Sequence, residues 1–309
     1  MATPASSAPT MEEWIFLTGR PPLQEFLGLV AAQYTDSQSY DLRALSAEWR
    51  LANSRVQDLE TAEGGWVDKP TIAPIGRASK ALSNEVLNDP AFRRSSYIVP
   101  SRLGVVELDR LIVHQTQINL SYIQTIKKSL GASPNPAEVF KCCLPVGQSN
   151  APVRAMRVAQ NSYVFVSPSN DFRFLDSAVL RPDQLRDFST TNSIGNVVGI
   201  VLGFSVNHFT VIHAENRLIL HNGNHRAFAL RDLGVTHAPC AILEVTHPEE
   251  LAIMAPERVH QHPERYLSAP RPPVLKDFFD PGLRKVLQVP RRLRQVKITF
   301  GVESISVTG

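Results

Sequence analysis

The chain reads as an α+β protein. Three observations point there: apolar residues at helical spacing before residue 64, strand-length apolar runs between residues 105 and 222, and a strand, glycine turn, helix and strand in succession over residues 218–245. At 309 residues there is chain enough for a large core in one or two domains. With 32 basic and 29 acidic residues the net charge is only +3, so no global field argues for nucleic acid, and such binding would need a local patch. Three cysteines, Cys142 beside Cys143 and Cys240 far away, give neither a disulfide framework nor a zinc spacing, so no metal is expected and a reducing, cytoplasmic setting is the simplest reading. The first residues lack a basic region followed by an apolar run, as a secretory signal would have. No run approaches the ~18 to 20 apolar residues of a membrane helix, so no membrane partner is expected.

Taken in order, residues 14–63 carry Leu42, Leu45, Trp49, Val56 and Leu59 at helical spacing, broken by Pro21, Pro22 and Gly64-Gly65, which predicts a few amphipathic helices. Residues 64–100 mix Pro, Gly, Ser and Asn around a helical patch at 81–87, placing a boundary near residue 100 and an N-terminal helical region over 1–100. Residues 105–113 read as a strand, and 122–130 as a helix stopped by Gly131 and Pro134. Strands are expected at 139–146, 153–158 and 162–166, the last two as a hairpin turning through Ala159-Gln160-Asn161. A second hairpin spans 208–222 if Glu215-Asn216 is its two-residue turn, which puts His213 and His221 on opposite faces and disfavours a zinc site built from them. After Val245 the chain becomes Pro-rich and then basic. Leu275, Phe278, Phe279 and Leu283 form an apolar stripe that would dock this 251–309 extension on the body, and 296–307 reads as a closing strand.

Candidate chemistry centres on Asn222-Gly223-Asn224-His225-Arg226, at the junction of strand and helix. Backbone N–H groups in a first helical turn lack intrahelical partners and carry partial positive charge, so phosphate or carboxylate is favoured there. Gly223 would allow close approach, and His225 and Arg226 would add donors. The alternative is an ordinary turn capped by Asn222 or Asn224, with a solvated basic pair.

These residues, with Ala227, Ala229, Leu230 and Gly234, resemble the Gly-x-His-Arg turn of the ParB/sulfiredoxin-like superfamily; residues 105–130 are similar to that family's opening strand, loop and helix. The resemblance implies a mixed core over 101–250, enlarged by a β-rich insertion at 135–195. It also implies a nucleotide di- or triphosphate with Mg²⁺ as ligand, held by Asn222 to Arg226 with Gln115 and Gln117 in the nucleotide-facing loop, and His225 and Arg226 as the catalytic pair. The departures are informative. Asn224 stands where sulfiredoxins need their cysteine, which excludes peroxiredoxin repair. Partition proteins carry Gly-Glu-Arg-Arg and a following helix-turn-helix, neither of which is evident here. The family's free-serine kinases carry an acid before the glycine and a carboxylate base, where this chain has Asn222 and an acid-free loop at 114–117; Glu107, Asp109, Asp171 and Asp176 are the carboxylates that could substitute.

Asn170, Asp171 and Arg173 form a polar cluster that reads either as a substrate loop or as a turn. His260 and His262 would share one face of a strand, a metal pair without a third ligand. The basic residues over 284–297 could contact nucleic acid, but no aromatic is interleaved among them and a solvated turn is preferred. Two functions follow: a binder of a nucleotide or phosphorylated small molecule, with NTP hydrolysis or phosphotransfer as its possible chemistry, or a non-catalytic, nucleotide-regulated module for a protein or nucleic-acid partner.

Overall fold

The computed structural model describes residues 10–32, 41–95, 99–147, 151–169, 172–184, 193–204 and 207–307. The chain divides into two compact units, one made of Met1–Gly147 with Asn207–Arg291 and one of Gln148–Val206 with Arg292–Gly309. Residues 100 and 250 are therefore not unit boundaries. The segment that departs from the first unit is 148–206 rather than 135–195, because residues 136–143 fold as a helix of that unit's core.

The first unit runs β1 (Met11–Leu17), α1 (Leu23–Ala31), α2 (Leu42–Glu63), β2 (Ile72–Ala73), α3 (Lys80–Asn88), α4 (Pro90–Ser95), β3 (Ser101–Glu107), β4 (Ile112–Val113), β5 (Gln117–Asn119), α5 (Leu120–Leu130) and α6 (Pro136–Cys143). The second unit supplies β6 (Arg154–Ala159), β7 (Ser162–Ser167), β8 (Arg173–Leu180) and β9 (Val197–Gly203). The chain returns to the first unit as β10 (Thr210–Ala214), β11 (Arg217–Asn222), α7 (Asn224–Asp232), β12 (His237–Glu244), α8 (Pro248–Met254), α9 (Glu257–Gln261) and β13 (Arg284–Pro290), then closes in the second as β14 (Arg294–Thr299).

Among the described residues the central sheet has the order β2-β3-β12-β10-β11-β4, with β10–β12 and β11–β4 parallel and the other pairs antiparallel. The β10–β11 hairpin turns through Glu215 and Asn216, both at positive φ (50° and 58°), as a two-residue turn matched to strand twist requires. Alternation along it sends Val211, Leu218 and Leu220 into one core and Ile212 and Ile219 into another, so both faces of the sheet are buried.

A smaller sheet, β13-β1-β5, holds Trp14 and its neighbours in a strand, not in the helical region expected over 14–63. Ile15, Phe16 and Leu17 are all buried, a continuous run suited to a two-faced strand. The strand expected at 139–146 is also corrected. Asn135 and Glu138 close a capping box with Pro136 in the first turn, and Val139, Phe140 and Cys143 then fall on one buried helical face. Helix α5 ends where expected, at Gly131 with φ 75°, and begins two residues earlier than expected, at Leu120, capped by the Asn119 side chain.

The C-terminal stripe docks as the spacing suggests: Leu275, Phe278 and Leu283 are fully buried, and Phe279 stacks on Phe228 with ring centroids 4.5 Å apart. Arg271, also fully buried, bonds Glu63 and Asp277. The basic run is not a surface turn but two strands. β13 pairs with β1 and offers Lys285 to Glu48, while β14 pairs with β7 in the second unit. That unit holds a β14-β7-β6 sheet and a β8-β9 ribbon, and its first hairpin turns through Gln160-Asn161 only, since Ala159 already pairs with Ser162.

Candidate functional site

Strand β11 ends at Asn222, Gly223 takes φ 106°, and α7 begins at Asn224. Glycine is required here for packing as well as conformation. A Cβ at this position would lie 2.9 Å from the Phe209 ring and 3.4 Å from Arg226 Nη2, so the space beside Gly223 is taken by protein. Neither Asn222 nor Asn224 caps the helix; the N-cap position is Gly223 itself. The Asn222 side chain donates to His208 O (3.1 Å), and buried Asn224 has an Oδ1 without a hydrogen-bond partner.

Arg226 is buried, not exposed. Its Nη1 donates to Cys142 O (3.1 Å), Cys143 O (3.2 Å) and Asn207 O (2.6 Å), and its Nη2 to Asn207 Oδ1 (2.9 Å). Cys142 and Cys143 are the last residues of α6, whose final carbonyls have no intrahelical donors and lie at the negative end of the helix dipole. A guanidinium from the start of α7 thus caps the end of α6. Burial lowers the Arg226 pKa from its ordinary value and raises both thiols, Cys143 furthest, which leaves the cysteines as packing groups.

His225 is similarly committed. Its Nε2 accepts the Asn119 backbone N–H (3.1 Å), and the Tyr122 ring meets it edge-on at 5.3 Å. An accepting Nε2 requires the neutral ring, and burial, with Arg226 nearby, pushes the His225 pKa down to about 4. Asn119 in turn caps α5 and donates to Glu12 Oε2 (2.8 Å). His225 and Arg226 therefore tie α7 to its neighbours, which corrects their expected role as presented donors.

Of the two glutamines expected beside this turn, Gln115 follows β4, which runs parallel to β11, and Gln117 opens β5, pairing with Phe16. Both are half-buried. The backbone from residue 114 to 119 thus passes from the end of β11 to the start of α7, so the sequence-derived set is partly assembled. His114, at the head of this loop, is bonded to the His221 backbone. Burial, then His221 and Arg258, lower its pKa to about 4. Its buried Nε2 has no hydrogen-bond partner.

Asn170 and Asp171 lie outside the described residues, while Arg173 is at the exposed start of β8 in the second unit. Of the possible carboxylates, Glu107 pairs with Arg110 (3.2 Å) and Asp109 with Arg231 (3.0 Å); Asp176, also in the second unit, accepts from the Ser177 N–H. His260 lies in α9 and His262 just past its end, so they do not share a strand face. Among the described residues no group of three or more His, Cys, Asp or Glu could hold a metal ion, and no helix is long and apolar enough to cross a membrane.

What sequence reasoning missed is a cleft of about 600 Å³ in the first unit. Val113 and Thr116 bring the end of β4 and its loop to the wall. Trp49 and Asn53 come from α2, Glu25 from α1, and Arg258, Arg265 and Tyr266 from α9 and the π-helical turn Glu264–Ser268. Trp49 Nε1 donates to Pro21 O (2.9 Å), which fixes the ring. Arg258 bonds Glu25 (2.8 Å) and reaches Thr116 Oγ1 (3.4 Å), and Arg265 is exposed. Arg20 and Arg271, also on the wall, are held by Asp277 at 3.0 and 2.7 Å. These residues are scattered over four stretches of the chain, 19–25, 49–60, 113–116 and 258–273, and only the aromatic-arginine pairing Arg265-Tyr266 is local enough to be read from sequence. No protein-family model, no curated protein and no solved structure matches the chain.

Proposed function

We propose that this protein binds a nucleotide or a related phosphorylated small molecule, and that it does so in the cleft rather than on the Asn222–Arg226 turn. The observation that carries the proposal is the joint presence on one concave wall of Arg258 and Arg265, suited to phosphate oxygens, and of Trp49 and Tyr266, suited to a flat ring. The cleft borders the loop after β4, so part of the expected nucleotide-facing segment contributes through Thr116. A ParB/sulfiredoxin-like core is part of the same proposal. It is supported by the order β11, glycine turn, α7, β12 and by α5, while the opening strand expected over 105–113 is divided between β3 and β4.

The reading is binding first and chemistry second. His225 and Arg226 are engaged with protein partners, and Glu25 is paired with Arg258. That condition favours a module regulated by its ligand over a hydrolase or phosphotransferase. Phosphate recognition rests with the arginines, and Mg²⁺ enters the test as a separate arm.

The test is a panel of nucleotides and sugar phosphates, with and without Mg²⁺, scored for thermal stabilisation, calorimetric affinity and product. At least one phosphorylated compound should stabilise the protein and lose about 10- to 100-fold in affinity in Arg265→Ala, the range for a charged hydrogen bond. Stabilisation by none, or equal affinity in Arg258→Ala and Arg265→Ala, overturns the assignment of the cleft.

A further inference from the structure

In the second unit, β7 is the central strand of an antiparallel sheet, with β6 and β14 at its edges. Residues directly opposite one another share a face. Tyr163 stands between Arg157 and Ile298, Phe165 between Ala155 and Val296, and Arg294 opposite Ser167. Two residues beyond Ile298, Phe300 falls on the same face and its ring lies parallel to that of Tyr163, with centroids 6.4 Å apart and planes 14° from each other. The Arg157 guanidinium lies 5.8 Å from the Tyr163 ring centre. Tyr163 and Phe165 are half-buried and Phe300 is 43% exposed, with Arg157 and Arg294 exposed beside them and Ser167, on the same face, buried. Of the charged residues on these strands, Arg157 and Arg294 share the face of Tyr163 and Phe165, Arg154 and Lys297 lie on the opposite one, and β6, β7 and β14 carry no acid.

Arg157 donates to the Ala159 and Gln160 carbonyls (3.4 and 2.6 Å), which leaves exposed Arg294 as the presented cation. A sheet face with aromatic rings at its centre and an arginine at its margin has the chemistry of a base-stacking platform: the rings take bases, the Arg294 guanidinium takes phosphate, and the absence of carboxylates on these strands removes repulsion. We infer that the β6-β7-β14 face of the second unit binds single-stranded nucleic acid without strong sequence preference. The observation is independent of the cleft. It also reverses an expectation, because the basic run near the C-terminus lacks aromatics in sequence but gains them in space. Strand pairing sets Tyr163 and Phe165 beside β14.

The test uses the full chain and a fluorescein-labelled single strand of about 12 nucleotides, within the site size of such platforms. Anisotropy is measured against salt for wild type, Phe300→Ala and Arg294→Gln, with the matching duplex and polyglutamate as competitors. Phe300→Ala should lose about 5- to 150-fold in affinity, the range for one stacked base. Arg294→Gln should make the slope of log K against log salt shallower by about 0.7, one phosphate contact on a single strand. Arg43→Ala, at an exposed position of α2 in the first unit and away from the cleft, should bind the strand as wild type does. Melting temperatures check each fold, and Arg294→Gln, exposed and outside any core, keeps the test decisive if Phe300→Ala is unstable. No binding at low salt, equal binding of duplex, competition by polyglutamate as strong as by the single strand, or binding untouched by either variant overturns the inference.

Discussion

Arg226 and Arg265 make opposite uses of the same side chain in one unit. Arg226 stands at a helix start beside a glycine turn, a place that favours anions, yet its four hydrogen bonds go to protein oxygens from α6 and Asn207. Arg265 stands in the Pro-rich segment after Val245, is exposed, and lines a cleft with Trp49 and Tyr266. The difference shows that a donor's availability is settled by which carbonyls the fold brings to it, since a buried guanidinium must be saturated and an exposed one need not be.

The largest test of this contrast is Arg226→Ala. It leaves the carbonyls of Cys142, Cys143 and Asn207 without that donor in a buried setting, and removes a cation from the negative end of α6. Stability should fall by about 3 to 5 kcal/mol. The expected drop in melting temperature is on the order of 10 °C. Chemical denaturation measures it. A variant that keeps its stability but loses phosphate binding would restore Arg226 as a ligand group and break the comparison.

Gly223→Ala comes next. A side chain at φ 106° costs about 1 to 2 kcal/mol. Its Cβ would also press on the Phe209 ring from 2.9 Å, and overpacking of this kind adds about 1 to 3 kcal/mol. Loss of stability that persists in Phe209→Leu would show strain alone; recovery of part of it there would show that the ring is the obstacle. Either result sharpens the account of the turn, whereas an unchanged melting temperature contradicts it.

How far this was legible in the sequence depends on the range of the interactions. The β10–β11 hairpin was readable because Glu215-Asn216 sets its register locally, and α5 because Gly131 ends it. The strand, glycine and helix of the turn were readable for the same reason. The fate of Arg226 was not, because its acceptors at Cys142 and Cys143 lie more than 80 positions away in a helix whose apolar residues, Val139, Phe140, Cys142 and Cys143, read as a strand. The signal that would have corrected α6 was present: Asn135-Pro136 followed by Glu138 is a helix start. The cleft had no such signal, since α1, α2, the β4 loop and α9 meet only in the folded chain.

The two histidines near the turn give a pH test of its closed state. His225 and His114 both have pKa values lowered to about 4 from 6.5, chiefly by burial. Their unfolded forms take up protons as pH falls through about 6.5 while the folded forms stay neutral until about 4, so stability should decline across that window and be fully present above it. Denaturation at pH 7, 5.5 and 4.5 follows the decline. His225→Gln should make it shallower; an identical slope in the variant would mean that His225 is freely hydrated and the turn more open than described.

The smallest change in stability should come from Arg265→Ala, and that smallness is what completes the contrast. The side chain is exposed, and its removal leaves no buried acceptor that Arg265 was seen to satisfy, so stability should stay within about 0.5 kcal/mol of wild type, as for other surface substitutions. Affinity for the phosphorylated ligand should nevertheless fall about 10- to 100-fold, because a charge-assisted bond to phosphate is lost only in the complex. Binding and stability thus separate at Arg265 and coincide at Arg226, where any loss of binding would accompany loss of the fold. Measuring both quantities on both variants tests the two arginines together. If Arg265→Ala melts several degrees lower with its ligand affinity intact, Arg265 is the structural group, and the division between a saturated turn and a presenting cleft is wrong.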